Sequence, residues 1–89
     1  MLFAKVVDIQ CGYDDDGRTI REAGLKVGDV IEVREVHMSA SYTTIVDDGD
    51  NRFNSVQFEF FDDKACTKPH DIYEDPLYNP FVKGGRYNG

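Results

Sequence analysis

The chain has 89 residues, with 17 acidic against 10 basic side chains, a formal net charge of −7 and no tryptophan. A chain of this length buries only about 60–65% of its unfolded surface, enough for one domain but with little room for an enclosed active-site cavity. Up to Phe61 there are twelve acids and six bases, and after it five and four, so no basic face is set apart to hold a phosphate backbone; direct nucleic-acid binding is excluded on that ground.

The predicted elements come as short β segments with turn chemistry between them. Residues 2–10 are rich in β-branched and aromatic side chains and run into Cys11-Gly12, a strand stopped by a glycine turn. A polar loop around Asp14, Asp15 and Asp16 follows. Residues 19–25 hold a single helical turn, with Thr19 as its cap, Glu22 three residues on, and Gly24 to end it. Residues 30–38 form a second strand whose apolar positions change phase between Val33 and Val36, the mark of a β-bulge or sharp bend. Residues 41–46 form a Thr-rich third strand. Asp47-Asp48-Gly49-Asp50-Asn51 is the strongest hairpin signal, its Asp-Gly pair being suited to positive φ angles. Val56, Phe58 and Phe60 then alternate with Gln57 and Glu59, which predicts a strand with Val56, Phe58 and Phe60 on its core face. Four or five short strands in about 60 residues predict a mostly β fold: a small, strongly bent antiparallel sheet or barrel.

The run from Gly24 to Val33, the Tyr42-Thr43-Thr44-Ile45 strand, the acidic turn, and Phe53-Asn54-Ser55-Val56-Gln57-Phe58-Glu59 together resemble small SH3-like barrel proteins of phages and prophages. In those proteins a leucine-x-valine-glycine loop leads into a strand, and a phenylalanine-x-serine-x-x-phenylalanine-glutamate segment closes the barrel. The similarity covers residues 20–61. It implies an SH3-like barrel and a mobile-element origin, and it carries no activity with it. The expected organisation is a barrel over residues 1–61 followed by an extended C-terminal arm over residues 62–89.

No constellation in the chain points to catalysis. There is no nucleophile elbow, no phosphate-binding glycine loop and no His-Glu-x-x-His pair. Asp14, Asp16 and Gly17 fall where two ligands and the glycine of an EF-hand loop fall, but the first and closing ligand positions are then Gly12 and Ala23. Of Cys11, His37, Cys66 and His70, only Cys66 and His70 are loosely spaced as a zinc pair, and Pro69 interferes with placing them on one helical face. The expectation is a protein that is not an enzyme and uses no cofactor or metal. With no signal-peptide pattern at Met1-Leu2-Phe3-Ala4-Lys5 and no apolar run of membrane-spanning length, the expected compartment is the cytoplasm, where both cysteines stay reduced unless the fold brings Cys11 and Cys66 together as a disulfide.

What remains is partner binding. Tyr73, Leu77, Tyr78 and Phe81 are large apolar groups in a segment whose Pro76 and Pro80 pre-set the backbone, so docking costs less entropy. The carboxylates of Asp14, Asp15 and Asp16 and of Asp47, Asp48 and Asp50 form two acidic clusters suited to a basic protein partner. The expected function is a phage accessory protein that binds a protein, with inhibition of a host protein as one outcome. The alternative is a virion or assembly component that self-associates through its arm. A further alternative has the arm folding back on its own barrel, where it would cover an open edge.

Overall fold

The computed structural model describes residues 1–9, 16–39 and 41–81. Five strands, β1 (Leu2–Val6), β2 (Val30–Met38), β3 (Thr43–Asp47), β4 (Arg52–Asn54) and β5 (Phe58–Phe61), form one antiparallel sheet in the order β4-β3-β2-β1-β5. A seven-residue helix, α1 (Asp16–Glu22), precedes β2, and a 3₁₀ turn, η1 (Ser55–Gln57), joins β4 to β5. The fold is mostly β, as its alternating apolar pattern predicts.

The connection through η1 dictates the shape of the sheet. β4 and β5 are the two edges, and in a flat sheet of five strands they would lie about 19 Å apart. The four residues from Asn54 to Phe58 span at most about 14 Å even when fully extended. The sheet must therefore curl until its edges approach, and the rings of Phe53 on β4 and Phe58 on β5 meet at 5.6 Å. No β4–β5 ladder joins these edges among the described residues, so the curl is that of an open sheet rather than a closed barrel.

Inside the curl, β1 contributes alternate residues Leu2, Ala4 and Val6, which meet Val33, Ile45, Phe53, Phe58 and Phe60 from the other strands. Ile20 of α1 is fully buried among them. The helix ends in a Schellman motif: the N–H of Leu25 donates to the Ile20 carbonyl at 3.1 Å and that of Gly24 to the Arg21 carbonyl at 3.0 Å, with Gly24 at φ +79°. Thr19, expected to cap the helix, instead lies inside it, because the helix begins three residues earlier.

Three local expectations meet different outcomes. The phase change in β2 is a bulge at Arg34, since Val33 pairs with Asp47 while Glu35 pairs with Val46. In the β3–β4 turn the positive φ falls on Asp50, at 63°, and not on the Asp48-Gly49 pair. The bonds Asp50 N–H to Asp47 O and Asp47 N–H to Asn51 O describe a longer loop with a left-handed residue at its end. Val56 is half exposed whereas Gln57 is fully buried, because η1 breaks the period of two that would have placed Val56 with Phe58 and Phe60.

Residues 62–81 do not run out as an extended arm. The chain turns back after β5, Pro69 bridges to Phe61, and the N–H of His70 donates to the Phe60 carbonyl at 2.9 Å. Two residues on, Ile72 is wholly buried in the sheet's core. A domain this small gains more by recruiting that side chain than by leaving it in water, which is why the segment folds back.

Candidate functional site

From Asp71 onward the backbone is a succession of turns held by side chains. Asp71 Oδ1 accepts from the N–H of Tyr73 at 3.0 Å, Asp75 Oδ1 from that of Leu77 at 2.9 Å, and Asn79 Oδ1 from that of Phe81 at 2.9 Å. These are three Asx turns spaced four residues apart, two of them opened by an Asx-Pro pair. In each, the residue whose amide is bound is a large apolar one, and all three are exposed: Tyr73 by 41%, Leu77 by 74% and Phe81 by 62%. Asn79 braces the series, its Nδ2 donating to the Tyr73 carbonyl at 2.7 Å.

The five segment residues singled out from the sequence thus divide. Leu77 and Phe81 are displayed. Tyr73 is displayed in part, with its hydroxyl sharing a 2.6 Å hydrogen bond with the buried Ser55 Oγ. Tyr78 and Pro80 are partly buried; Tyr78 packs on the core and, with Pro80, Pro76 and Leu77, faces Val36 and Met38 of β2 across a shallow groove of about 280 Å³. The signal that reveals this division is the Asp or Asn two residues before each exposed apolar side chain, a spacing the composition-based reading passed over.

Of the acidic residues, Asp14 and Asp15 lie outside the described residues, and Asp16 opens α1. Asp47 is used within its own turn, accepting from the amides of Gly49 and Asn51 at 2.9 Å each and from Asn51 Nδ2 at 3.0 Å. Asp50 pairs with Arg34, the bulge residue, whose guanidinium holds its carboxyl below the usual range. Asp48 is exposed at the tip. The second cluster is therefore largely committed to the hairpin's own geometry.

His70 joins the segment to the sheet. Its Nδ1 lies 2.5 Å from Asp62 Oδ1, just past the end of β5, and its Nε2 lies 2.7 Å from Asp75 Oδ2. The Tyr78 ring meets it edge-on at 5.7 Å. Burial of the imidazole lowers its pKa, but the bonds to Asp62 and Asp75 and their charges outweigh this, so the ring titrates above its ordinary 6.5. Asp75 is held low, first by the N–H of Leu77 and then by His70, and burial together with the two carboxylates raises the Tyr78 phenol. The sequence offered His70 only as a zinc candidate loosely spaced from Cys66. Among the described residues no group of three or more His, Cys, Asp or Glu is arranged to hold one metal ion, and Cys66 carries a free thiol.

The fold and this segment define a small, acidic, mostly β protein that displays apolar side chains on a braced C-terminal stretch. No helix among the described residues is long and apolar enough to cross a membrane. The family model of bacteriophage T4 protein Y07B matches residues 1–84, and the chain belongs to that family. The match runs through both the sheet and the segment that follows it. No curated protein and no solved structure matches the chain.

Proposed function

We propose that this member of a phage protein family is a non-enzymatic accessory protein that acts in the host cytoplasm by binding another protein. The observation that carries the reading is the braced display of Leu77 and Phe81, with Tyr73 beside them. Apolar side chains in water on a backbone already fixed by three Asx turns are arranged for docking at low entropic cost. Asp71 and Glu74 are exposed on either side of Tyr73, and the whole chain carries −7, so a partner with basic residues around an apolar hollow is favoured and a second copy of this chain is repelled. Inhibition of a host protein would follow if the occupied hollow were that protein's working surface. The curled, open sheet, with its edge strands adjacent in the chain, supports an SH3-like strand arrangement as the scaffold. Burial of Ile72 in its own core takes support away from an arm exchanged between copies.

The test is affinity capture from host lysate by the full chain and by a Leu77→Ser/Phe81→Ser variant, at low and moderate salt. A protein held by the first and lost by the second, more weakly at higher salt, supports the reading. Capture indifferent to both side chains, or self-association of the free chain, overturns it.

A further inference from the structure

The two carboxylates on His70 pose a donor-counting problem. A neutral imidazole has a single N–H and one lone pair, whereas the imidazolium has two N–H groups. Both ring nitrogens here sit within hydrogen-bond distance of a carboxylate oxygen, at 2.5 and 2.7 Å. With Asp62 and Asp75 ionised, only the protonated ring satisfies both. Either neutral tautomer turns a lone pair toward one carboxylate, which is repulsive, and leaves the other bonded to a donor without the attraction of the ring's positive charge.

The two contacts differ in what they hold. Asp62 and His70 belong to one hairpin, closed by the Asp62 N–H to Lys68 carbonyl bond at 2.9 Å and the His70 N–H to Phe60 carbonyl bond at 2.9 Å. Asp75 lies beyond that hairpin, in the middle of the Asx turns. Its Oδ1 holds the Leu77 amide, its carbonyl accepts from the amides of Tyr78 at 3.0 Å and Asn79 at 2.8 Å, and its Oδ2 reaches His70. The His70–Asp75 contact thus ties the turn that displays Leu77 to the sheet.

We propose that His70 is a proton-dependent latch that fixes the displaying segment against the sheet when protonated and loosens it when neutral. The latch rests on the docking reading for its consequence, since it would regulate how rigidly Leu77 and Phe81 are presented. Among the described residues, the carboxylates around the ring favour the proton. Asp62 faces it from the end of β5, and Asp75 and Tyr78 face it from the segment. Glu74 lines the hollow on one side, Glu59 the hollow on the other and Asp71 both, with no Lys or Arg among the described residues lining either. Ile72 is wholly buried in the core, an anchor that does not depend on the proton, so the loosening is expected in the residues after it.

Hydrogen exchange of the free full chain, corrected for the pH dependence of intrinsic exchange, tests the latch between pH 5.5 and 8.5. The amides of Leu77, Tyr78 and Asn79, all bonded to Asp75, are expected to lose protection by about threefold to tenfold across the range. The β1 and β2 amides are expected to remain unchanged, and His70→Gln to abolish the pH dependence. An NMR titration of the wild-type His70 ring supplies a measurement independent of that variant and should give a midpoint above 6.5. Protection of these three amides that does not vary with pH, the same variation in His70→Gln, or a ring midpoint at or below 6.5 would overturn the proposal. No partner is needed for any of these readouts, so failure of the latch and failure of the docking reading are separately visible.

Discussion

Ile72→Ala is the substitution that most directly probes how the C-terminal stretch belongs to the fold. Ile72 has no exposed surface and sits in one cluster with Leu2, Ala4, Val6, Val33 and Phe60. Truncating a fully buried Ile to Ala costs about 2–5 kcal/mol, through lost transfer energy and the cavity left behind. An 89-residue domain has a total stability of about 4–13 kcal/mol, so one side chain outside the sheet would account for a sizeable part of it. In urea, with a slope of about 1 kcal/mol per molar, the unfolding midpoint should fall by about 2 M or more. Leu77→Ala, five residues away and 74% exposed, serves as the control and should change stability by less than about 0.5 kcal/mol. The measurement is equilibrium urea unfolding followed by circular dichroism. A midpoint shift for Ile72→Ala as small as that of Leu77→Ala would mean that residues 62–81 do not complete the core, and the argument from burial would fail.

Gly24→Ala should destabilise by about 1 kcal/mol in the same assay, because φ +79° is strained for any L side chain although nothing lies within 4 Å of the added Cβ. A neutral effect would show that the Schellman turn relaxes without cost. The acid limb of stability should begin below the ordinary carboxylate value of 3.8. Asp29, Asp63 and Asp75 are depressed in the folded state, so their contribution is fully present above that value and is lost as pH falls through their lower folded values. His70 acts in the opposite sense. Its raised pKa gives a contribution complete below 6.5 and lost as pH rises through the higher folded value, so thermal melts should place the latch's greatest effect between about pH 4 and 6.5.

Strands were legible wherever side chains alternate without interruption. β2 begins and ends where its pattern does, and its bulge sits where the apolar phase slips, because a one-residue slip flips every side chain to the other face. β1 is shorter than its composition suggests, since Val7 and Ile9 leave the ladder to accompany η1, with the Val7 N–H donating to the Gln57 carbonyl at 2.9 Å. The exchange of Val56 for Gln57 in the interior was not readable from period alone. Three residues of 3₁₀ helix reset the phase, and the cue was Asn54, whose side chain accepts from the Val56 amide. The site was half legible: the apolar residues and prolines marked the segment, but which face water depends on turns set by Asp71, Asp75 and Asn79, and these read as mere polarity in a composition. His70 was invisible as a tie because its two partners are eight residues before it and five after, on segments brought together only by the fold.

The segment also explains how so short a chain exposes large apolar groups without unfolding around them. A stretch left outside the sheet has no ladder for its amides, and unpaired backbone groups beside buried side chains are costly. Here Asx side chains take the place of a neighbouring strand, binding the amides of Tyr73, Leu77 and Phe81 locally. Beyond Ile72 and Tyr78, which pack on the core, polar ties hold the segment, among them Tyr73 to Ser55 and Asp75 to His70. The first joins two hydroxyl groups, while the second depends on a proton. A partner that approaches with basic residues would compete with His70 for Asp75, so docking and closure of the latch would oppose one another. Binding by such a partner should accordingly lower the pKa of His70, and a partner-bound titration midpoint above that of the free chain would show that the two do not share Asp75.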